Sequence, residues 1–266
     1  MSARRRLDAE LVRRGLARSR EHAAQLVSSG KVDVSGRASV KPATSVEPSV
    51  GITVHDGPGD DYASRGAHKL AGALDAFGSG IVVAGRRCLD AGASTGGFTD
   101  VLLRRAAAQV VAVDVGYGQL DWRLRSDDRV VVLDRTNVRS LAPDDIGGAV
   151  DLTVADLSFI SLRLVLAALT ACTRPHGDLL LMVKPQFEVG KDNLGSGGVV
   201  RSPRLRAEAV RDVAAAAHTL GWGTAGITAS PLPGPSGNVE YFLWLRADAD
   251  PLDPDALQTA LDEGPA

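Results

Sequence analysis

Four short apolar runs, at residues 110–113, 130–133, 152–155 and 179–183, restrict the folds open to this chain more than any other feature. Each is too short for a buried helix, and none shows the in–out alternation of a half-exposed strand. They read as strands covered on both faces. Helical periodicity fills the intervals around 100–105, 162–171 and 205–220. Strands alternating with helices, and buried on both sides, predict an α/β fold with a doubly wound parallel sheet. Two further strand candidates, 225–229 and 239–245, are joined by a Pro/Gly-rich segment with no helix between them. They are expected to form an antiparallel pair at one edge.

The N-terminal quarter follows another rhythm. Leu7, Leu11 and Val12 recur at helical spacing up to Gly15. Ser19 is placed to cap a second helix through Ala23, Ala24, Leu26 and Val27, which Gly30 would end. Val32-Asp33-Val34 and Ala38-Ser39-Val40 flank Ser35-Gly36, a hairpin signal, and a short alternation at 50–54 closes the unit. The Gly/Pro/Asp stretch 55–61 reads as a boundary. A chain of 266 residues accommodates one sizeable core and one small module. The expected division is 1–58 as a small α+β module, 59–63 as linker, 64–247 as the α/β domain and 248–266 as a C-terminal extension.

Charge follows the same division. Residues 1–58 carry 10 Lys and Arg against 6 Asp and Glu, a balance of +4; the remainder carries 20 against 26, a balance of −6. A basic module on an acidic body suits a polyanion-binding arm, with a solvated helix face as the plainer reading.

After the first strand of the larger domain comes Leu89-Asp90-Ala91-Gly92-Ala93-Ser94-Thr95-Gly96-Gly97-Phe98-Thr99, a loop of small residues opening a helix. Such a loop lets backbone approach a ligand and offers the free N–H groups of a helix start, although tight strand–helix packing alone can also require glycine. The second strand ends at Asp114, 22 residues past Gly92, where an acid can take the ribose hydroxyls of a nucleoside cofactor. That spacing also suits NAD. The order Gly-x-x-x-Gly-Gly, introduced by Asp90, points instead to the amino-acid end of S-adenosylmethionine. The cofactor set is therefore Asp90, Gly92, Ser94, Thr95, Gly96, Gly97, Phe98 and Asp114. Asp134, ending the third strand, is either near the adenine or a plain loop Asp.

Only five of the 30 basic residues are lysines, Lys31, Lys41, Lys69, Lys184 and Lys191, so arginine supplies the ordinary surface charge. Lys184 nonetheless ends the apolar run 179–183, a costly place for a cation without a task. Lysine, unlike arginine, shifts its protonation readily with its surroundings. Lys69 opening a helix, Asp156 after 152–155, and Glu240 before Tyr241 occupy comparable places. A buried ion-pair network is the alternative reading of these four. Strand ends beside a cofactor loop favour catalysis.

These residues carry a resemblance. Arg6-Leu7-Asp8, the stretch from Gly15 to Arg20, Gly30-Lys31-Val32 and Lys41-Pro42 resemble an S4 RNA-binding domain. The resemblance implies that Arg6, Arg18, Arg20, Lys31 and Lys41 face an RNA backbone. Arg65 and Lys191 join them as RNA-binding candidates. The order Lys69, Asp156, Lys184, Glu240 resembles the tetrad of FtsJ-like ribose 2′-O-methyltransferases, whose Rossmann-type sheet likewise ends in an antiparallel pair. Further matches run from Ser64 to Leu70, Asp156 to Leu162, Lys184 to Glu188 and Gly237 to Glu240. With an S4-like module in front, the whole chain resembles the hemolysin A-type (TlyA) rRNA methyltransferases. That resemblance implies methyl transfer from S-adenosylmethionine to the 2′-hydroxyl of a cytidine in ribosomal RNA. The N-terminus, starting before Arg6, and the extension past Ala247 resemble the longer family type, associated with both ribosomal subunits, which implies 16S and 23S rRNA as substrates. Lys184 would be general base or alkoxide stabiliser. Two nearby carboxylates favour the charged ammonium, so stabiliser is the easier role.

Other chemistry finds little support. Cys88 and Cys172 lie in apolar surroundings, as packing residues in a reducing compartment would. The five histidines show no metal-ligand spacing, so no metal is expected. No apolar run reaches the roughly 20 residues of a membrane span and no signal peptide is recognisable, so a cytoplasmic protein without membrane contact, favoured as a monomer, is expected. A membrane-lysing hemolysin lacks an inserting segment; a non-catalytic ribosome assembly factor would not need the full tetrad. Residues 187–203, rich in glycine, read as a surface loop or as a lid ordering on RNA beside Lys184.

Overall fold

A computed structural model describes residues 4–17, 19–28, 30–38, 41–54, 62–234 and 236–265. The chain divides into two compact units, Met1–Asp61 and Tyr62–Ala266.

The first unit comprises β1 (Arg5–Arg6), α1 (Leu7–Arg13), α2 (Arg20–Ser28), β2 (Val32–Val34), β3 (Arg37–Ala38), β4 (Ser45–Val46) and β5 (Ile52–Val54). Leu7, Leu11, Ala23, Val27 and Val32 form its buried centre. Ser19 caps α2 as expected, its Oγ accepting from the His22 N–H at 3.1 Å. Ser35 and Gly36 both take positive φ, 52° and 76°, as a two-residue hairpin between β2 and β3 needs. The three-stranded sheet has the order β3-β2-β5. A separate pairing of β1 with β4 was not foreseen, because two-residue strands leave no periodicity to read. Of the sequence expectations, Arg18, Ser39, Val40 and the stretch 55–61 lie outside the described residues.

The second unit is built on α3 (Gly66–Phe77), β6 (Arg87–Ala91), α4 (Gly97–Arg104), β7 (Gln109–Val113), α5 (Trp122–Arg125), β8 (Val130–Leu133), β9 (Val150–Ala155), α6 (Leu166–Ala171), β10 (Thr173–Val183), α7 (Pro185–Glu188), α8 (Pro203–Thr219), β11 (Gly223–Ala229), β12 (Tyr241–Arg246) and α9 (Pro254–Asp262). The seven strands lie in the order β11-β12-β10-β9-β6-β7-β8. Five are parallel, β10-β9-β6-β7-β8, while β12 runs antiparallel to both β10 and β11. The expected edge pair is present, with its second strand inserted next to β10.

The apolar runs behave as two-sided strands. Leu179, Leu181 and Val183 of β10 enter one core with residues of α6, α8 and α9, whereas Leu180 and Met182 enter the other with residues of α3 and α4. The run at 130–133 departs from full coverage: Val131 is 38% exposed, because β8 is an edge strand. The helical pattern at 162–171 divides into a 3-10 turn, Leu162–Leu164, and α6. The segment past 247 folds back as α9, burying Leu257 and Ala260 against the sheet.

Candidate active site

Parallel strands deliver their carboxyl ends to one rim, and the polar residues singled out in the sequence collect there. The register pairing Leu181 of β10 with Ala155 of β9 brings the next residues along, Asp156 and Lys184, to neighbouring strand ends. Lys184 Nζ lies 2.6 Å from Asp156 Oδ1. That contact is an ion pair whose alignment falls short of a hydrogen bond; Nζ donates instead to Ser158 Oγ at 2.9 Å. Antiparallel pairing of Val183 with Tyr241 sets Glu240, just before β12, on the other side of Lys184's strand. Glu240 Oε2 accepts from Lys69 Nζ at 2.5 Å, and Oε1 from Gln186 Nε2 at 3.2 Å.

The four residues thus stand as two ion pairs on one rim. Lys69, Lys184 and Glu240 are buried, while the Asp156 side chain keeps 24% of its surface. A Cβ added at Gly66, in the first turn of α3 just ahead of Lys69, would sit 3.8 Å from Asp156 Oδ2, so the start of α3 also abuts the Lys184–Asp156 pair.

The small-residue loop after β6 adjoins the tetrad directly. Asp156 N–H donates to Ala91 O, and a Cβ at Gly92, whose φ is +88°, would stand 2.8 Å from Asp156 O. Only glycine fits there. A Cβ on Gly97 would likewise meet Ser64 Oγ and the Ala67 backbone nitrogen, and Gly96 precedes α4 in the left-handed conformation. Ser94 and Thr95 are exposed. Asp114 accepts from Ser94 N–H at 2.8 Å and Gly116 N–H at 2.7 Å, one through each oxygen, which ties the loop to the end of β7.

Asp90 and Phe98 occupy positions different from a simple lining. Asp90 is fully buried; its Oδ2 takes the Thr99 hydroxyl at 2.6 Å and its Oδ1 has no partner. Burial, opposed by the Thr99 bond, pushes its carboxyl up to about 7. Phe98 is a core residue, its ring 6.0 Å from Phe242. Asp134 is held by Arg125 at 2.9 Å, on the same rim, where Thr136 N–H donates to Asp114 O. The glycine cradle, an orphaned carboxylate oxygen beneath it and an acid at the end of the second strand fit the amino-acid and ribose parts of S-adenosylmethionine.

Several residues on this rim had been given no role in the sequence. Ser158 and Gln186 each bond a tetrad member. Phe159 is 92% exposed with φ +64°, and its ring is 5.3 Å from that of Phe187. Asn238 bonds Val200 N–H and Gly198 O, fastening the end of the 187–203 segment. All lie in or beside strings already matched to the family, yet polar residues in loops carry no periodicity that distinguishes them.

In the first unit, Arg6 and Arg20 converge on one buried carboxylate, Asp8, at 2.7 and 3.2 Å. Those two guanidinium groups hold Asp8 down at about 2, the Arg6 bond being the larger cause. Lys31 is half-buried, and Lys41, Arg65 and Lys191 are exposed; Arg18 lies outside the described residues. Among the described residues no group of His, Cys, Asp or Glu could hold a metal ion, and no helix is long and apolar enough to cross a membrane.

The FtsJ-like methyltransferase family model matches residues 62–247, and the S4 domain model matches residues 5–51. The chain is 61% identical, over the full length of both proteins, to the 16S/23S rRNA (cytidine-2′-O)-methyltransferase TlyA of Mycobacterium tuberculosis. It is 35% identical to the 23S rRNA (cytidine-2′-O)-methyltransferase TlyA of Campylobacter jejuni, over 69% of this chain and 70% of that one. A solved structure from Streptococcus thermophilus, described as a candidate hemolysin, superposes with a TM-score of 0.77 at 35% identity, covering 99% of this chain and 96% of the other.

Proposed function

From the premise that this chain belongs to the FtsJ-like methyltransferase family, with an S4 domain and S-adenosylmethionine as cofactor, we propose that it methylates the ribose 2′-hydroxyl of cytidines in both 16S and 23S rRNA. The observation that carries the reading is the Lys184–Asp156 pair, set against the glycine cradle at 2.6 Å separation. The full-length likeness to an enzyme named for both rRNAs supports the choice of substrate.

When bound, the cofactor supplies an electrophilic methyl on sulfonium sulfur. The chain's residues then have one task, to make a poor nucleophile attack in line. Lys184 donates to Ser158 and is ion-paired with Asp156, which leaves ammonium donor capacity for the acceptor oxygen. Lys184 stabilises the alkoxide as it develops. Asp156, more exposed than its partner, would take the hydroxyl proton through Oδ2 during the transfer, for which the bound cofactor would supply the methyl and keep the electron pair of the bond that breaks. Lys69 and Glu240 hold the facing side of the site, with Gln186 fixing Glu240. Arg6, Arg18, Arg20, Lys31, Lys41, Arg65 and Lys191 supply backbone affinity.

Isolated small and large ribosomal subunits lacking the modification, incubated separately with methyl-labelled cofactor, test the substrate choice. Label should enter the rRNA of both. Label in one subunit alone would narrow the substrate, and label in neither would remove ribosomal RNA from the account.

A further inference from the structure

The loop after β9 poses a mechanical problem. Residues 156–161 carry Asp156 and Ser158, both partners of Lys184, yet little burial holds their shape. Ser158 and Phe159 are exposed, Leu157 and Ile160 only partly buried, and Phe159 takes a left-handed backbone conformation that an aromatic residue rarely adopts. Something must fix this loop if Lys184 is to be held in one place.

Glu188 is in position to do so. It ends α7, the single turn that starts from Lys184. Its side chain is 1% exposed, and both carboxylate oxygens reach the far end of the loop: Oε2 accepts the Ser161 hydroxyl at 2.5 Å and Oε1 the Leu162 N–H at 2.7 Å. Arg163 closes the arrangement, lying 3.4 Å from Oε2 and donating to the Glu188 backbone oxygen at 3.2 Å. The two segments are therefore clipped twice. Lys184 meets Asp156 and Ser158 at one end, and Glu188 meets Ser161 and Leu162 at the other.

Resting on the methyltransferase reading above, we infer that Glu188 is a positioning residue for methyl transfer, holding the 156–161 loop so that Asp156 and Ser158 keep Lys184 aimed at the acceptor oxygen. Buried, with both carboxylate oxygens engaged by the loop, it would act through Asp156 and Ser158 rather than on the substrate. Charge-assisted bonds to a buried carboxylate are strong and directional enough for this, and a misplacement on the order of 1 Å at a reacting group can cost about a hundredfold in rate.

Glu188→Gln keeps the shape but removes the charge, and Ser161→Ala removes one clip while sparing the Leu162 bond. Both should lower kcat at least about fivefold with cofactor Kd and subunit Kd changed less than about twofold, a split that loss of folded protein alone would not give. Combined, the two should cost little more than Glu188→Gln alone, since both act on one contact. If Glu188→Gln does not fold, Ser161→Ala decides by the same criteria. A smaller fall in kcat, or a fall matched by equal loss of cofactor affinity, overturns the inference while the unaltered protein's activity upholds the reading beneath it. No transfer by the unaltered protein overturns both.

Discussion

Lys69 and Glu240, 171 residues apart in the chain, meet at 2.5 Å with both side chains almost fully buried. A pair of this kind is poor evidence for stability by itself, since desolvation offsets much of the attraction, but removing one member strands the other. Lys69→Ala should therefore destabilise the protein by about 3–5 kcal/mol in denaturant melts. The double change Lys69→Met with Glu240→Gln should recover most of that loss and recover no methyl transfer. Activity returning with stability would reduce the pair to a structural role.

Much of this arrangement was readable in advance, for physical reasons. Strands buried on both faces must be apolar without alternation, so the runs ending before Asp114, Asp156 and Lys184 marked the carboxyl rim, and a scarce lysine there marked the candidate site. What could not be read is side-chain partnership. That Asp8 collects both Arg6 and Arg20, that Asp90 is sealed beneath the loop with an unpaired oxygen, and that Phe98 packs into the core beside Phe242 depend on three-dimensional packing. The β1–β4 pairing and the edge position of β8 were hidden for the same reason.

Asp90 gives the stability a pH dependence of unusual sign. Its folded carboxyl sits at about 7 against an ordinary value near 3.8, chiefly through burial. Between those values the native state holds a proton that the unfolded chain releases, so stability should fall as pH rises from about 4 to about 7, by a few kcal/mol at most in order of magnitude. Asp90→Asn should flatten that slope in urea melts of the cofactor-free protein. An unchanged slope would assign the titration to another group.

Removing residues 1–61 deletes the first compact unit and leaves the cradle and Asp114 in place. Cofactor affinity by calorimetry should stay within about twofold, while affinity for ribosomal subunits should drop and its dependence on salt should become shallower, as lost phosphate contacts require. Unchanged affinity with an unchanged salt slope would mean that this unit is not the RNA-binding arm.

The central claim, transfer to a ribose oxygen with Lys184 at the reacting atoms, is tested most directly by where the methyl goes. Ribosomal RNA labelled by the unaltered protein should be hydrolysed in alkali, which cleaves only beside a free 2′-hydroxyl. The account predicts label confined to alkali-resistant dinucleotides, and none transferred by Lys184→Ala even though that variant still binds cofactor. Label in mononucleotides, on the base, or undiminished labelling by Lys184→Ala would contradict it.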